Sequence, residues 1–333
     1  MGVYLQAAET RPLVEPGNER QSSSAVMMVR PAHFHSNPQT AASNKFQRQE
    51  IGAAEGDEQT LAIAEFEGLV AALRDAGVKV IVFDDTPEPE KPDAIFPNNW
   101  VTTHADGTVV LYSMMAENRR AERRLDIVES LSRDHGYQVS EVIDLGYYEE
   151  SGRFLEGTGS LVLDHVNRIA YACLSPRTHM DVLGDFGQRL DYEIVAFDAT
   201  DKAGAAIYHT NVLMCIGSSY AVICVEAIPD TSQRNDVIKR LDSTNHAVIE
   251  ITHAQMVKFA GNALELSSSS GDTILVMSKQ ADDSLTQWQK SQLAEHARIV
   301  SESIDYIEDN AGGSVRCMLA EVFLPRKSVR DTD

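Results

Sequence analysis

Hydrophobic and polar residues alternate along the chain in one repeated order. Two short apolar runs joined by a polar turn come first, a segment with helical spacing follows, and a single apolar run comes last. The paired runs occupy residues 100–113, 160–173, 211–225 and 263–278, and turn-forming residues such as Ala-Asp-Gly or Gly-Ser-Ser lie at their centres. Each pair therefore predicts a β-hairpin.

Helices and single strands complete each predicted unit. Helical periodicity is found at residues 58–76, 119–135, 177–190, 231–241 and 284–304. Gly77 and Gly136 follow two of these segments, where glycine commonly ends a helix. Single strands are predicted at residues 78–84, 137–144, 192–198 and 246–252. The pattern indicates an α/β fold.

Polar residues precede the predicted strands at a nearly constant interval. Asn99, Glu156, His209, Asn262 and Cys317 are separated by 57, 53, 53 and 55 residues. A fixed period of this size is typical of supersecondary units that pack around a common core. An α/β chain without internal repeats can show similar spacing. If the units do surround an axis, these side chains converge on one polar cavity.

The composition narrows the class of protein. The chain has 333 residues, of which 43% are hydrophobic, with 29 Lys and Arg against 50 Asp and Glu and a formal net charge of −21. Such an acidic chain is unsuited to nucleic acid or to an anionic membrane surface. Four cysteines are too few for a disulfide framework, and we find no export signal or membrane span. We expect a reduced, cytoplasmic protein.

The domain organisation is predicted to be simple. Residues 1–25 lack apolar periodicity and carry Pro, Gly, Ser and charge, so we expect a mobile tail. Residues 26–333 are expected to form a single catalytic domain. The sequence leaves the oligomeric state open, and a homo-oligomer is compatible with it.

Cys317 is the candidate nucleophile. It lies where a glycine-rich loop meets a strand, next to Arg316, whereas the other cysteines lie inside apolar runs, at positions 173, 215 and 224. Only a thiolate attacks, so a catalytic cysteine needs a proton acceptor. His209 is the histidine that shares the repeat position of Cys317, and Glu156 lies among small residues that let a substrate approach. Covalent attack, proton transfer and activation of water need such a trio.

These segments resemble the guanidine-modifying (pentein) superfamily of arginine deiminases, dimethylarginine dimethylaminohydrolases and amidinotransferases. The resemblance covers residues 26–326 and implies a five-bladed α/β propeller around a central polar cavity. FLEGTGSLVL, YHTN and SVRCMLAEV are similar to the segments of the family's catalytic Glu, His and Cys. The resemblance thus implies that Glu156, His209 and Cys317 are catalytic.

The same resemblance implies further residues that bind substrate. LSPRT resembles a segment whose arginine holds a substrate α-carboxylate, which suggests Arg177. ENRRAER resembles another arginine segment and suggests Arg119, with Arg120 as the alternative. DAIFPNNW is similar to a segment in which Asp93 would line the site.

Two departures from the family pattern concern the substrate. Asn99 and Asn211 stand where members that bind a cationic guanidinium often have Asp. A guanidinium buried without carboxylates leaves an unpaired charge, whereas an amide satisfies a neutral ureido group. The resemblance to the citrulline hydrolase branch then implies hydrolysis of L-citrulline to ornithine, ammonia and CO₂. We expect Asn98 and Asn262 to bind substrate as well.

Two alternatives stay open. The same cysteine chemistry acts on a guanidino substrate in arginine deiminases, dimethylargininases and amidinotransferases, and the same fold occurs in a non-enzymatic binding protein. His33 and His35 share one strand face, but no further ligand motif accompanies them. Nucleotide-binding glycine motifs are not found. We therefore expect a small amino-acid substrate, no metal and no cofactor.

Overall fold

The described residues of this computed structural model, 19–41, 43–47 and 55–327, form five three-stranded sheets. The strands in chain order are β1 (Ala25–Arg30), β2 (Lys79–Asp84), β3 (Val101–Thr103), β4 (Thr108–Leu111), β5 (Glu141–Asp144), β6 (Val162–Asp164), β7 (Ile169–Cys173), β8 (Glu193–Phe197), β9 (Met214–Ile216), β10 (Tyr220–Ile223), β11 (Ala247–Glu250), β12 (Leu264–Ser267), β13 (Thr273–Ser278), β14 (Arg298–Glu302) and β15 (Ala320–Glu321).

The sheets share one topology. In four of them, a hairpin is followed by a third strand that runs parallel to the second, as in β3-β4-β5. The fifth sheet has the order β15-β1-β2, so the last strand of the chain pairs with the first. The predicted hairpins and single strands are confirmed. A strand was predicted to start at Cys317, but Cys317 lies in the helical turn Val315–Met318 and the strand begins at Ala320. Its pairing with β1 was not predicted, because a local pattern does not contain the partner of a strand.

Helices connect the strands. They are α1 (Pro38–Ala41), α2 (Glu55–Asp75), α3 (Leu125–Arg133), α4 (Gly157–Ser160), α5 (Met180–Leu190), α6 (Thr231–Ser243), α7 (His253–Met256), α8 (Lys279–Ser284), α9 (Gln287–Ala294), α10 (Asp305–Ala311) and α11 (Val315–Met318). The single helix predicted at residues 284–304 is wrong, since β14 follows α9 there. The β-branched pair Ile299 and Val300 lies in register with Leu275 and Val276 of the parallel strand β13.

Alternating residues within the central strands attach each sheet to two neighbours. In β4, Val110 lies in one hydrophobic cluster with Ala170 of β7, while Val109 lies in another with Met27 of β1. Tyr171 of β7 belongs to a cluster that also contains residues of β10 and β13. Val276 of β13 then packs with Val26 of β1, in the cluster that contains α2. The order of packing thus returns to the first sheet, because successive strand residues point to opposite faces.

One-turn segments bring the repeat positions together. The 3-10 turn Pro97–Asn99 contacts both α4 and α11, and α4 also contacts the 3-10 turn Thr210–Val212. Glu156 and His209 directly precede two of these segments. The prediction that the regularly spaced polar residues converge is therefore confirmed for four of the five positions through their backbone elements.

The N-terminal boundary differs from the prediction. Residues 1–18 of the expected tail lie outside the described residues. Gln21 and Ser23 are buried, where Gln21 donates to the Leu163 carbonyl at 2.9 Å and Ser23 donates to the Val322 carbonyl at 3.0 Å. The packed part of the chain thus begins before residue 26. Among the described helices, none combines the length and hydrophobicity required to cross a bilayer.

Candidate active site

A pocket opens beside the converging turns. Six residues singled out in the sequence line it: Asp93, Asn99, Arg119, Arg177, His209 and Cys317. All six are buried, although most are polar or charged. Polar groups are kept in a protein interior when they have partners or bind a ligand. The pocket is therefore the candidate active site, and the thiol and the imidazole share it.

Glu156 lies behind His209 and fixes its ring. The Nε2–H of His209 donates to Oε2 of Glu156 at 2.9 Å, and Glu156 is completely buried. Burial opposes ionisation of Glu156, but the positive charge of Arg177 and the bond from His209 hold its pKa below the ordinary value. Burial lowers the pKa of His209 to about 4, against the opposing effect of Glu156. His209 is thus neutral at pH 7, and its Nδ1 is the nitrogen left to accept a proton.

Glycines create the space that His209 and Asn99 occupy. A Cβ atom on Gly159 would lie 2.4 Å from Nδ2 of Asn99 and 2.7 Å from the ring of His209. Gly157 has a φ of +43°, and a Cβ there would lie 2.2 Å from the Asn98 carbonyl oxygen. The LEGTGS segment thus needs glycine both for its backbone conformation and for close approach of the imidazole.

Two amides contact the sulfur of Cys317. Nδ2 of Asn262 lies 3.3 Å from Sγ, and Nδ2 of Asn211 lies 3.4 Å from it. The amide of Asn262 is oriented by its other bonds, since Oδ1 accepts the backbone N–H of Arg316 at 3.0 Å and Nδ2 also donates to the Asn211 carbonyl at 3.0 Å. The sulfur therefore faces two amide donors, and the amide oxygen of Asn262, to which the thiol can donate, lies farther away at 3.8 Å.

Arg119 is held between carboxylates and Asn99. Its Nε and Nη2 donate to the two oxygens of Glu122 at 2.9 and 2.8 Å, and Nε lies 3.5 Å from Asp93. Its Nη1 donates to Oδ1 of Asn99 at 2.9 Å. Asp93 accepts a further bond from Nδ2 of Asn37 at 2.7 Å. The guanidinium therefore balances the charge of buried carboxylates and orients the Asn99 amide.

Arg177 occupies the opposite wall. Its Nη1 lies 3.3 Å from Oε2 of Glu156, its Nη2 donates to Ser43 Oγ at 2.6 Å, and its guanidinium stacks 4.9 Å from the ring centre of Tyr208. The Tyr208 hydroxyl donates to the Gly312 carbonyl at 2.8 Å. The binding of a substrate α-carboxylate by Arg177 and Arg119 stays a prediction, because both side chains already contact groups of the protein.

The remaining predicted residues lie outside the pocket wall. Asn211 and Asn262 contact Cys317 without lining the pocket, and Asn98 is fully buried and does not line it either. His33 is exposed, and His35 contacts Glu90. Sequence reasoning missed Asn37, Ser43, Tyr208 and Glu122. The spacing of Glu122, three residues after Arg119, was the available signal.

One group of described residues has a spacing that suits a metal ion, and it lies outside this pocket. Ligand atoms of Cys224, Glu226 and His253 lie within 4.8 Å of one another. His253 Nδ1 already lies 2.9 Å from Glu226, and burial raises the pKa of Cys224 to about 12. The contact between His253 and Glu226 at the start of α7 accounts for this group.

A family model described as N,N dimethylarginine dimethylhydrolase, eukaryotic, matches residues 30–324. The chain belongs to this family. The resemblance to the guanidine-modifying superfamily is therefore confirmed. No curated protein matches the chain.

Solved structures share the fold of this dimethylhydrolase family member. The N-terminal domain of ArgZ, an arginine dihydrolase of Cyanobacteria, aligns with a TM-score of 0.69 and 20% identity over 90% of this chain and 99% of that domain. AgrE in complex with ornithine and NAD+ aligns with a TM-score of 0.69 and 20% identity, over 92% of this chain and 40% of AgrE. A dimethylarginine dimethylaminohydrolase variant carrying an S-methyl-L-thiocitrulline adduct aligns with a TM-score of 0.60 and 14% identity, over 90% of this chain and 99% of that chain.

Proposed function

We propose that this member of the dimethylhydrolase family hydrolyses the ureido group of L-citrulline through a covalent intermediate on Cys317. One citrulline and one water give ornithine, ammonia and CO₂. The observation that carries the choice of a ureido group is the orientation of Asn99 in the pocket wall.

Asn99 lines the pocket, and its amide carries a hydrogen-bond donor without a partner among the described residues. Arg119 can only donate, so the bond from its Nη1 identifies the contacted Asn99 atom as the oxygen. The amide Nδ2 of Asn99 is buried and has no partner among the described residues. A ureido oxygen can accept from it, whereas a guanidinium has no acceptor atom. An unmatched buried donor is unfavourable, so the pocket favours the ureido group.

Charge supports the same choice. Glu156 contacts Arg177 and His209, whereas Asp93 and Glu122 share the one guanidinium of Arg119. Burial raises the pKa of Glu122 to about 7, so much of its negative charge is lost at neutral pH. A buried cationic substrate group needs an unpaired carboxylate. A neutral ureido group does not.

The first half of the reaction forms a carbon–sulfur bond. The thiolate of Cys317 attacks the ureido carbon, and the thiol proton passes to Nδ1 of His209. The ionised Glu156 stabilises the imidazolium that forms. Negative charge grows on the ureido oxygen, where the Asn99 amide donates. His209 then protonates the departing nitrogen, the carbon–nitrogen bond breaks, and an S-carbamoyl enzyme remains.

The second half restores the enzyme. His209, neutral again, removes a proton from water, and the resulting hydroxide attacks the S-carbamoyl carbon. The carbon–sulfur bond breaks, and the released carbamate decomposes to CO₂ and an amine. Whether ammonia or the δ-amine of ornithine leaves first, the overall balance is the same.

We further propose that the five sheets are blades of one propeller. The repeated topology, the pairing of β15 with β1 and the order of packing that returns to the first sheet support this arrangement. A second cavity is lined by residues of several sheets, including Leu163, Cys215 and Glu265, as expected of blades that face one another. A single domain and a cytoplasmic location stay predictions.

Parallel incubations test the substrate. L-citrulline, L-arginine and asymmetric dimethylarginine are each supplied to the purified full chain, and ornithine, citrulline and ammonia are quantified. We expect ornithine and ammonia in equal amounts from citrulline, at a rate at least about tenfold above any release from arginine. ArgZ is named an arginine dihydrolase, so arginine is the critical comparison. Arginine consumption without citrulline consumption would refute the proposal.

A further inference from the structure

We propose that Asn211 and Asn262 form an amide pair that stabilises the thiolate of Cys317, instead of binding substrate as the sequence predicted. This inference rests on the proposed role of Cys317 as nucleophile but is independent of the substrate. Both residues contact the sulfur without lining the pocket, and Asn211 lines the second cavity. Their Nδ2 atoms approach Sγ from two different turns, at 3.4 and 3.3 Å.

The orientation of Asn262 follows from its partners. Its oxygen accepts the Arg316 N–H and lies 3.8 Å from the sulfur, so its NH₂ group, at 3.3 Å, is the nearer contact of the sulfur and also donates to the Asn211 carbonyl. A thiolate accepts such N–H bonds, and bonds to a charged acceptor are stronger than those to a neutral one. The pair thus favours the charged form of the sulfur. Asn211 is the second member of the pair, because its backbone carbonyl accepts from Nδ2 of Asn262 while its own Nδ2 contacts the sulfur.

The choice of amides over carboxylates agrees with a neutral substrate. An Asp at position 211 would place a negative charge beside the sulfur and disfavour its ionisation. A cationic substrate could offset that charge on binding, whereas a ureido group could not. A protein that acts on a neutral group therefore has to supply the stabilisation of the thiolate itself.

Other charged and titratable groups face the same sulfur and belong in the interpretation of any pH profile. Those in the pocket are Asp93, Arg119, Arg177, Tyr208 and His209, and Arg316 precedes the sulfur in the chain. Each is unchanged in variants at positions 211 and 262. A difference between such variants and the wild type thus reports on the amides.

Alkylation by iodoacetamide, without any substrate, tests the inference. Rates at Cys317 are measured by peptide mapping between pH 5 and 10 for the wild type, N211D, N211L and N262D. We expect N211D and N262D to react about tenfold more slowly at pH 7, with the midpoint of the pH profile about one unit higher. N211L, which removes the donor without adding charge, should slow the reaction about threefold or more. N245D makes the same chemical change in an exposed turn and should react as the wild type does.

The outcomes separate the possibilities. If N211L and N262D both keep the wild-type rate and midpoint, the amide pair has no such role. If N262D does not fold, as judged by circular dichroism, N211L and N211D decide the question. In turnover of citrulline, N211L should lower kcat and leave KM unchanged, whereas a raised KM with unchanged kcat would identify a substrate ligand and overturn the inference. If no substrate is turned over but the alkylation differences hold, the proposed function fails and the amide pair stands.

Discussion

Cys317 and Cys173 are both buried, yet their sulfur atoms have different hydrogen-bond partners. Sγ of Cys173 donates its proton to the Ile207 carbonyl at 3.5 Å, and burial raises its pKa to about 12. Sγ of Cys317 instead lies 3.3 Å from an amide donor. Cys173 thus has a carbonyl acceptor and one hydroxyl donor, from Thr210 at 3.5 Å, whereas Cys317 has two amide donors and a more distant amide oxygen, that of Asn262 at 3.8 Å. Burial does not distinguish a structural cysteine from a reactive one, and the number of donors around the sulfur is what differs between these two.

The sharpest test of this contrast removes each kind of sulfur. Cys317→Ala should lower ornithine release from citrulline about 10⁴-fold or more, because no other group can form the covalent intermediate. Cys215→Ala, in an apolar cluster where burial raises the thiol pKa to about 12, should keep wild-type kcat. Steady-state assays of both variants provide the comparison. Comparable losses in the two would remove the distinction between the cysteines.

A second variant separates proton transfer from the state of the sulfur. His209→Asn should lower kcat by about 10³-fold, since general acid and base catalysis contributes on this scale. Alkylation of Cys317 should change far less, because the amides of Asn211 and Asn262 remain. Turnover and alkylation rates are measured on the same preparation. A variant that loses both reactivities equally would show that His209 controls the thiolate itself.

The pH dependence of wild-type kcat/KM tests the protonation state of His209. With the pKa of His209 lowered to about 4 by burial, its neutral form persists to lower pH than that of an ordinary histidine. We expect the acid limb of kcat/KM to have its midpoint near pH 4 and not near 6.5. Because the folded-state pKa is depressed, the contribution of His209 to stability is present above about pH 6.5 and is lost as the pH falls towards 4. Urea denaturation across this range checks it.

The next variant changes Asn99, which lines the pocket. Asn99→Asp replaces the amide donor by an acceptor and should lower kcat/KM for citrulline about 100-fold, the scale of losing one donor to a developing oxyanion. The ratio of arginine to citrulline turnover should rise. Asn245→Asp, in an exposed turn, is the matched control. An unchanged kcat/KM in N99D would show that Asn99 does not contact the reacting group.

The smallest expected effect on activity comes from enlarging Gly159, which lies against the ring of His209. Gly159→Ala places a methyl group within 2.7 Å of the imidazole, so the ring must shift, and we expect kcat to fall about tenfold. Gly184→Ala, in the exposed middle of α5 with no atom within 4 Å, should keep full activity and raise the unfolding free energy by about 0.5–1 kcal/mol. Thermal unfolding and assays of both variants compare the two positions. Full activity in G159A would contradict the tight contact.

The sequence predicted the repeated sheets well because each strand carries its own signal. In β4, the residues Val109 and Val110 are both apolar and form part of the run that predicted a strand, and the structure buries them in two different clusters. The strand β14 was missed because Arg298 and Ser301 dilute its apolar residues, and only pairing with β13 selects the extended conformation. Tertiary pairing, which a local pattern does not contain, decided that segment.

The sequence predicted which residues form the candidate site better than it predicted the hydrogen bonds and ion pairs between them. Regular spacing and family motifs identified Glu156, His209 and Cys317, which the structure brings together. The partners of Arg119 and Arg177 were not foreseen, because ion pairs depend on side-chain directions across separate turns. The same holds for Asn262, whose amide orientation is set by a backbone N–H from α11.

Mass mapping of the enzyme quenched during turnover of citrulline tests the central claim most directly. Digestion and mass spectrometry locate any carbamoyl adduct among the four cysteines, with H209N as a second sample in which hydrolysis is slowed. The account predicts an S-carbamoyl or S-(N-alkylcarbamoyl) adduct on Cys317 and on no other cysteine. An adduct on Cys173, Cys215 or Cys224, or ornithine formed at the wild-type rate after complete alkylation of Cys317, would contradict it.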